Sequence, residues 1–132
     1  MDGQQKLAQA EKLRNQGTKQ GLLDSIGFYN RAIEHWQIAG QKEREGVCLN
    51  LKAFVTYYLG DTTTAIKYFT EAAAIRPRGG GKAQSVNNLA IMYRLTGETT
   101  KALEYFTEAL QLSHEIGDKQ AEANILNGMG NL

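Results

Sequence analysis

The sequence lacks most of the features by which secreted, metal-binding and membrane proteins are recognised. Its 132 residues include one cysteine, one proline and two histidines. The single cysteine, Cys48, rules out an internal disulfide, and neither histidine has a second histidine or cysteine at metal-site spacing. No apolar run is long enough to span a membrane, and the polar N-terminal residues contain no signal-peptide core. We therefore expect a cytoplasmic protein without metal, cofactor or membrane contact.

An excess of charge of either sign is also lacking. Lysine and arginine together number 15 and the acidic residues number 14, which gives a formal net charge of +1. Repeat proteins that bind RNA need clustered basic side chains, so we expect no nucleic-acid partner. The stretch RPRGGGKAQS has arginine and alanine where a phosphate-binding loop needs glycine and serine or threonine. Since no catalytic triad or carboxylate pair stands out either, we predict that the protein is not an enzyme.

What the sequence does contain is an internal repeat. Residues 60–73, GDTTTAIKYFTEAA, and residues 97–110, GETTKALEYFTEAL, are identical at nine of fourteen positions. A more divergent copy, SIGFYNRAI, begins at residue 25. An aromatic residue therefore recurs at Tyr29, Phe69 and Phe106, with spacings of 40 and 37 residues. Trp36 follows the first of these aromatics, and we expect it in the core rather than in a ligand site.

The periodicity of the repeat is helical. Ala102, Phe106 and Ala109 fall on one face of a helix, and a glycine closes a preceding helix in each copy. No sustained alternation of apolar and polar residues indicates a strand. We predict an all-α protein with one domain over residues 1–132. It contains three helix–turn–helix repeats, at about 4–40, 44–78 and 82–116, and a seventh helix in a half repeat at 119–132.

These motifs resemble the tetratricopeptide repeat family, and the resemblance covers nearly the whole chain. The spacings resemble the longer variant of the repeat found in kinesin light chains and in bacterial signalling proteins. The resemblance implies a right-handed α–α superhelix, a solenoid, in which the first helix of each repeat lines a concave groove. The best-matching positions are Val86, Leu89, Ala90, Tyr93, Gly97, Ala102, Phe106 and Ala109.

The register of the first helix in the second repeat has two interpretations. In the third repeat a leucine precedes the turn glycine by eight residues, whereas in the second repeat Leu51 precedes it by nine. Either Lys52 takes the leucine position or the helix carries an extra residue. We expect the extra residue, because an apolar stripe then results: Val47, Leu51, Phe54 and Tyr58.

The resemblance also implies a function, which is that of a scaffold binding an extended peptide or partner protein in the groove. Asparagine side chains both donate and accept hydrogen bonds, so a row of them suits a peptide backbone of any sequence. The alternative is that these side chains are solvated or bond locally. The groove positions carried over from the family are Asn50, Phe54 and Tyr57, then Gln84, Asn87, Asn88, Ile91 and Arg94, then Asn124, Asn127 and Asn131.

The last predicted helix suggests an alternative function. Solenoids need a polar surface at each end, yet Ile125, Leu126, Met129 and Leu132 all look core-facing. A second copy could cover them, which would make this a self-associating structural segment and a homo-oligomer through the C-terminal helix. The chain could also be a fragment of a longer array, which we expect, or the last helix could itself act as the cap.

Overall fold

A computed structural model describes residues 2–132 of the protein. Within this range the chain forms seven α-helices. Met1, the first residue of the predicted domain, lies outside the described residues. The helices are α1 (Gly3–Asn15), α2 (Lys19–Ile38), α3 (Lys42–Tyr58), α4 (Thr62–Ile75), α5 (Gly80–Leu95), α6 (Thr99–Glu115) and α7 (Lys119–Gly130). No strand occurs within residues 2–132. The predicted all-α class, with three helix–turn–helix repeats and a seventh helix, is confirmed.

The turn after α3 and the turn after α5 have the same geometry. Gly60 and Gly97 have φ angles of 94° and 82°, which residues with a side chain rarely adopt. The Gly60 N–H donates to the Tyr57 carbonyl (2.9 Å), and the Gly97 N–H donates to the Arg94 carbonyl (3.1 Å). In both turns the following N–H reaches one carbonyl further back, which is the Schellman arrangement. The two glycines therefore provide a common reference for the register of α3 and α5.

Counted from these glycines, α3 and α5 bury the same positions. The equivalent buried pairs are Leu49 and Val86, Ala53 and Ala90, and Val55 and Met92. Lys52 thus takes the position of Leu89, and the predicted extra residue in α3 is wrong. Tyr58, which the wrong register placed in an apolar stripe, is 66% exposed. Lysine is tolerated there because its stem lies along apolar surface while its Nζ sits 4.0 Å from the centre of the Tyr68 ring.

The contacts within the chain divide it into two compact units, one ending at Ile75 and one comprising Arg76–Leu132. In the first unit each helix packs against the next, from α1 to α4. Its main apolar cluster joins Ile33 and Trp36 of α2, Cys48 and Leu49 of α3 and Ala72 of α4, with Leu7, Tyr68 and Ile75 packed against it. Trp36 is 7% exposed, which agrees with its predicted place in the core.

In the second unit α6 packs between α5 and α7. Phe106 is fully buried, and its ring lies directly against the α7 backbone. A Cβ added to Gly128 would come within 2.9 Å of the Phe106 ring. The aromatic residue that the repeat pattern singled out therefore holds the last helix in place.

The four apolar residues predicted to face the core near the C-terminal end do not share one environment. Ile125 is buried and Met129 is half-buried, but Leu126 and Leu132 are 53% and 42% exposed. Leu126 and Leu132 therefore present apolar surface at this end of the chain, and its cover by a further repeat or by a second copy stays a prediction. Gly128 packs directly against Phe106 of α6, whereas Leu126 lies in the open groove at the edge of that contact and Leu132 follows the end of the helix.

The first unit should lose stability at alkaline pH, because two of its buried groups ionise there. Burial raises the pKa of Tyr29 to about 12, from an ordinary value of 10.0, and the pKa of the Cys48 thiol to about 11, from 9.0. Both groups hold their protons more tightly in the folded chain. Their contribution to stability is therefore fully present below pH 9 and is lost as the pH rises through 9–12.

We expect the urea midpoint of unfolding to fall when the pH is raised across this window, and to fall less in Tyr29→Phe. The substitution removes the ionisable hydroxyl and keeps the ring. The measurement is urea unfolding of both proteins, followed by circular dichroism, at a pH below the window and at one inside it. An equal fall in both proteins would show that Tyr29 does not contribute to the effect.

Candidate peptide-binding site

Five of the predicted site residues lie along α5. Their spacing of three or four residues places them on one broad face of the helix. They are Gln84, Asn87, Asn88, Ile91 and Arg94. Gln84 is exposed and the other four are half-buried. The Oδ1 of Asn87 is buried without a hydrogen-bond donor among residues 2–132, and an unpaired buried acceptor costs free energy. This face therefore combines amide groups with one apolar side chain and one cation.

A buried arginine orients the beginning of this face. Arg76 is 5% exposed and comes immediately after α4, at the start of the second unit. Its Nη1 donates to the Ser85 Oγ (3.0 Å) and to the Gln84 Oε1 (3.4 Å). The Gln84 side chain is therefore held toward the N-terminal end of α5.

Arg94 joins α5 to α7. Its Nη1 donates to the Gly128 carbonyl (3.3 Å), which also accepts from the Asn131 N–H (3.2 Å). The last carbonyls of a helix carry partial negative charge, so a guanidinium there is favourable. The structure thus brings two predicted site residues, Arg94 and Asn131, to the same acceptor.

The three predicted asparagines near the C-terminal end are exposed. Asn124 and Asn127 share one side of α7, since they are spaced by three residues, and Asn131 caps the end of the helix. The Asn124 Oδ1 accepts from the Gln120 Nε2 (3.2 Å), whereas the Asn127 side chain makes no hydrogen bond within residues 2–132. Asn124 is therefore constrained through its side chain, and Asn131 is constrained through its backbone N–H.

The predicted residues of the first unit are less accessible. Asn50 is 5% exposed and is engaged within the protein. Phe54 is half-buried with its ring edge-to-face on Phe69, at 4.9 Å between ring centres, and Tyr57 is half-buried beside Tyr58. On α3 the predicted positions therefore present mainly aromatic surface rather than a free amide.

The first unit also contains a cleft that the sequence analysis missed. It has a volume of about 210 Å³ and is lined by Gln4, Leu7, Trp36, Arg44 and Val47. The Arg44 guanidinium lies 4.8 Å from the centre of the Trp36 ring. The lining residues come from α1, from the C-terminal part of α2 and from α3.

Counting back from the turn glycines would have found three of these residues. Gln4 and Val47 each precede their turn glycine by thirteen residues, and Leu7 precedes Gly17 by the same ten residues that separate Asn50 from Gly60. The first repeat lacks the leucine and aromatic pattern of the others, so only the glycine gives its register.

Other kinds of site find little support in the part of the chain that the structure describes. Residues 2–132 contain no group of three histidine, cysteine or acidic side chains close enough to hold a metal ion. Within the same range, no helix has both the length and the apolar composition needed to cross a membrane. His114, one of the two histidines, places its Nδ1 3.0 Å from the Glu122 Oε1.

Comparison with known proteins gives a family match and a fold match. Residues 82–132 match the family model described as tetratricopeptide repeat. The solved structures that resemble the chain include nearly identical TPR-like repeats from Podosopora anserina, assigned to a kinesin light chain, and a variant of the same protein. Their TM-scores are 0.72 and 0.74 at 13% identity, over 94% of this chain and 63% of theirs.

The structural likeness shows the fold, an all-α repeat solenoid, and the chain spans 63% of the length of those solved proteins. A search of the curated proteins found no match.

Proposed function

Because residues 82–132 match the tetratricopeptide repeat family model and the chain has the fold of an all-α repeat solenoid, we propose that it is a scaffold that binds an extended peptide of a partner protein. Tetratricopeptide repeats generally mediate protein–protein interactions and are typically not enzymes. The peptide would bind on α5 and α7 in the second unit. We propose no catalytic activity for the chain, and the cytoplasmic location stays a prediction.

The observation that carries this proposal is the amide surface of the second unit. The side chains of Asn88 and Asn127 make no hydrogen bond with any other residue in 2–132. Each can therefore offer a peptide backbone both a donor and an acceptor. Arg94 fixes α7 to α5 through the Gly128 carbonyl, so the two helices form one supported surface rather than two independent ones.

The proposal is tested by selecting peptides from a random library on the wild-type protein and on the double variant Asn88→Ala/Asn127→Ala. We expect a peptide consensus on the wild type, and affinity at least about 10-fold lower on the variant, because each lost hydrogen bond is worth about 0.5–1.5 kcal/mol. Asn50 is left unchanged because it is buried and its loss would affect folding.

Asn30→Ala is the matched control, since Asn30 is an exposed asparagine on α2. It should bind the selected peptides as the wild type does. If the folded double variant keeps the same peptides at the same affinity, the amide surface is not the binding site.

Self-association through α7 remains the second candidate function. The exposed Leu126 and Leu132 favour it, because apolar surface of this kind is often covered in an assembly. Sedimentation over a range of protein concentrations distinguishes the two functions. A scaffold for a foreign peptide stays monomeric, whereas a self-associating segment increases in mass with concentration.

A further inference from the structure

An open groove runs between α6 and α7 on the second unit. It has a volume of about 440 Å³ and is lined by Thr107, Leu110, Gln111, His114, Glu122 and Leu126. Leu126 is more than half exposed and Leu110 is half-buried, so the groove presents apolar surface to solvent. It is formed by different residues from the amide surface of α5 and α7, and its function does not depend on that surface.

The first unit shows what occupies the equivalent groove. There α2 and α3 correspond to α6 and α7, since each pair consists of the second helix of one repeat and the first helix of the next. Ala72 of α4 belongs to the cluster that α2 and α3 form, and Tyr68 and Ile75 pack against it. The occupant is therefore a helix that inserts an aromatic, a small and an aliphatic residue at i, i+4 and i+7.

The groove between α6 and α7 differs from that equivalent in the charge along its edge. Leu103, Thr107, Leu110 and His114 form one line along α6. Glu104, Glu108, Gln111 and Glu115 form the adjacent line, spaced by four, three and four residues. This second line carries three carboxylates and no cation, whereas the residues of α2 equivalent to Glu104 and Glu108 are Gly27 and Arg31.

Two of the carboxylates are available to a partner. Glu115 is paired with Arg78, at 2.6 Å between oxygen and nitrogen, and inside the groove Glu122 is engaged by His114 and Lys119. Glu104 and Glu108 form no ion pair within residues 2–132, and Glu108 interacts with the Arg78 guanidinium only at longer range. The free negative charge therefore lies on one known side of the apolar line.

We propose that the groove between α6 and α7 binds an amphipathic helix of a partner protein, whose apolar face is patterned like that of α4 and whose adjacent side is basic. The apolar residues insert between Leu110 and Leu126, and lysine or arginine side chains meet Glu104 and Glu108. Complementary charge at such an edge selects the partner and its orientation, while the apolar contact supplies most of the affinity.

The test uses two synthetic helical peptides with the same apolar face, which carries the tyrosine, alanine and isoleucine of α4 at their native spacing. One peptide has lysines on the adjacent side and the other has glutamates. Fluorescence anisotropy measures the binding of each to the wild type. We expect the lysine peptide to bind at least about 10-fold more tightly, with an affinity that falls as salt is added.

Three variants locate the binding. Leu126→Glu places a charge in the groove and should abolish binding of the lysine peptide, whereas Leu23→Glu, at an exposed leucine of α2, should bind it as the wild type does. The charge-reversed double variant Glu104→Lys/Glu108→Lys should prefer the glutamate peptide. Circular dichroism confirms that each variant is folded.

Equal affinity for the two peptides would overturn the proposal, as would a lysine peptide that fails to saturate the protein or that binds Leu126→Glu normally. The wild type is also examined by sedimentation without peptide. A dimer that Leu126→Glu abolishes would mean that the groove is occupied by a second copy of the chain, and the proposal of a partner helix would then be wrong.

Discussion

Replacing Phe106 with alanine should lower the free energy of unfolding of the second unit by about 3–5 kcal/mol. The ring is fully buried and lies against the backbone of α7 at Gly128. Its removal leaves a cavity where the last helix docks, and only α6 packs closely against α7 within the second unit. A loss of this size is a large part of the roughly 5–15 kcal/mol that stabilises a typical domain.

The measurement is urea unfolding combined with amide hydrogen exchange. We expect the midpoint to fall and the amides of α7 to lose protection first, because local opening follows the weakest packing. Leu103→Ala is the control, since Leu103 is on the same helix but 46% exposed, and such surface changes usually stay within about 0.5 kcal/mol. An unchanged midpoint in Phe106→Ala would mean that the ring does not hold α7 in place.

The features predicted correctly from sequence are those that backbone geometry or the size of a side chain determines. Gly60 and Gly97 end their helices because a positive φ is required there. Phe69 and Phe106 are fully buried because the helical pattern leaves one position for a large ring in each repeat. Both signals are local, so they survive even where the rest of the repeat diverges.

The errors arose where one side chain can serve two environments. The pattern favoured Leu51 and Tyr58 as buried residues over Lys52, because lysine is rarely assigned to a core. A lysine stem can nevertheless cover apolar surface when an aromatic ring accepts its ammonium group, as Tyr68 does. A hydrophobicity pattern treats the whole residue as polar and so cannot detect this.

In the candidate site too, the sequence predicts what depends on local spacing and fails for what depends on packing against other helices. Asn127 is exposed on α7, whereas Asn50 is buried and Asn88 is half-buried, and helical spacing alone could not distinguish the three. Burial at a surface position depends on the helix that packs next to it. The groove between α6 and α7 was missed for a related reason, since its lining comes from two helices and its shape depends on their packing.

Replacing Gly21 with alanine should destabilise the first unit by about 1–3 kcal/mol or more, as overpacking does. A Cβ at this position would come within 2.5 Å of the Leu13 carbonyl oxygen. That atom belongs to the backbone of α1, so it cannot move aside as a flexible side chain would. The close approach of α1 and α2 therefore requires a residue without a side chain at Gly21.

Gly27→Ala provides the matched control because Gly27 lies in the same helix and a Cβ there would meet nothing within 4 Å. Alanine is favoured over glycine inside a helix by about 1 kcal/mol, so this variant should be more stable than the wild type. Thermal unfolding of the two variants should therefore shift the midpoint in opposite directions. If both variants were stabilised, α1 and α2 would not approach as closely at Gly21 as the structure indicates, and the helical preference of alanine alone would account for both results.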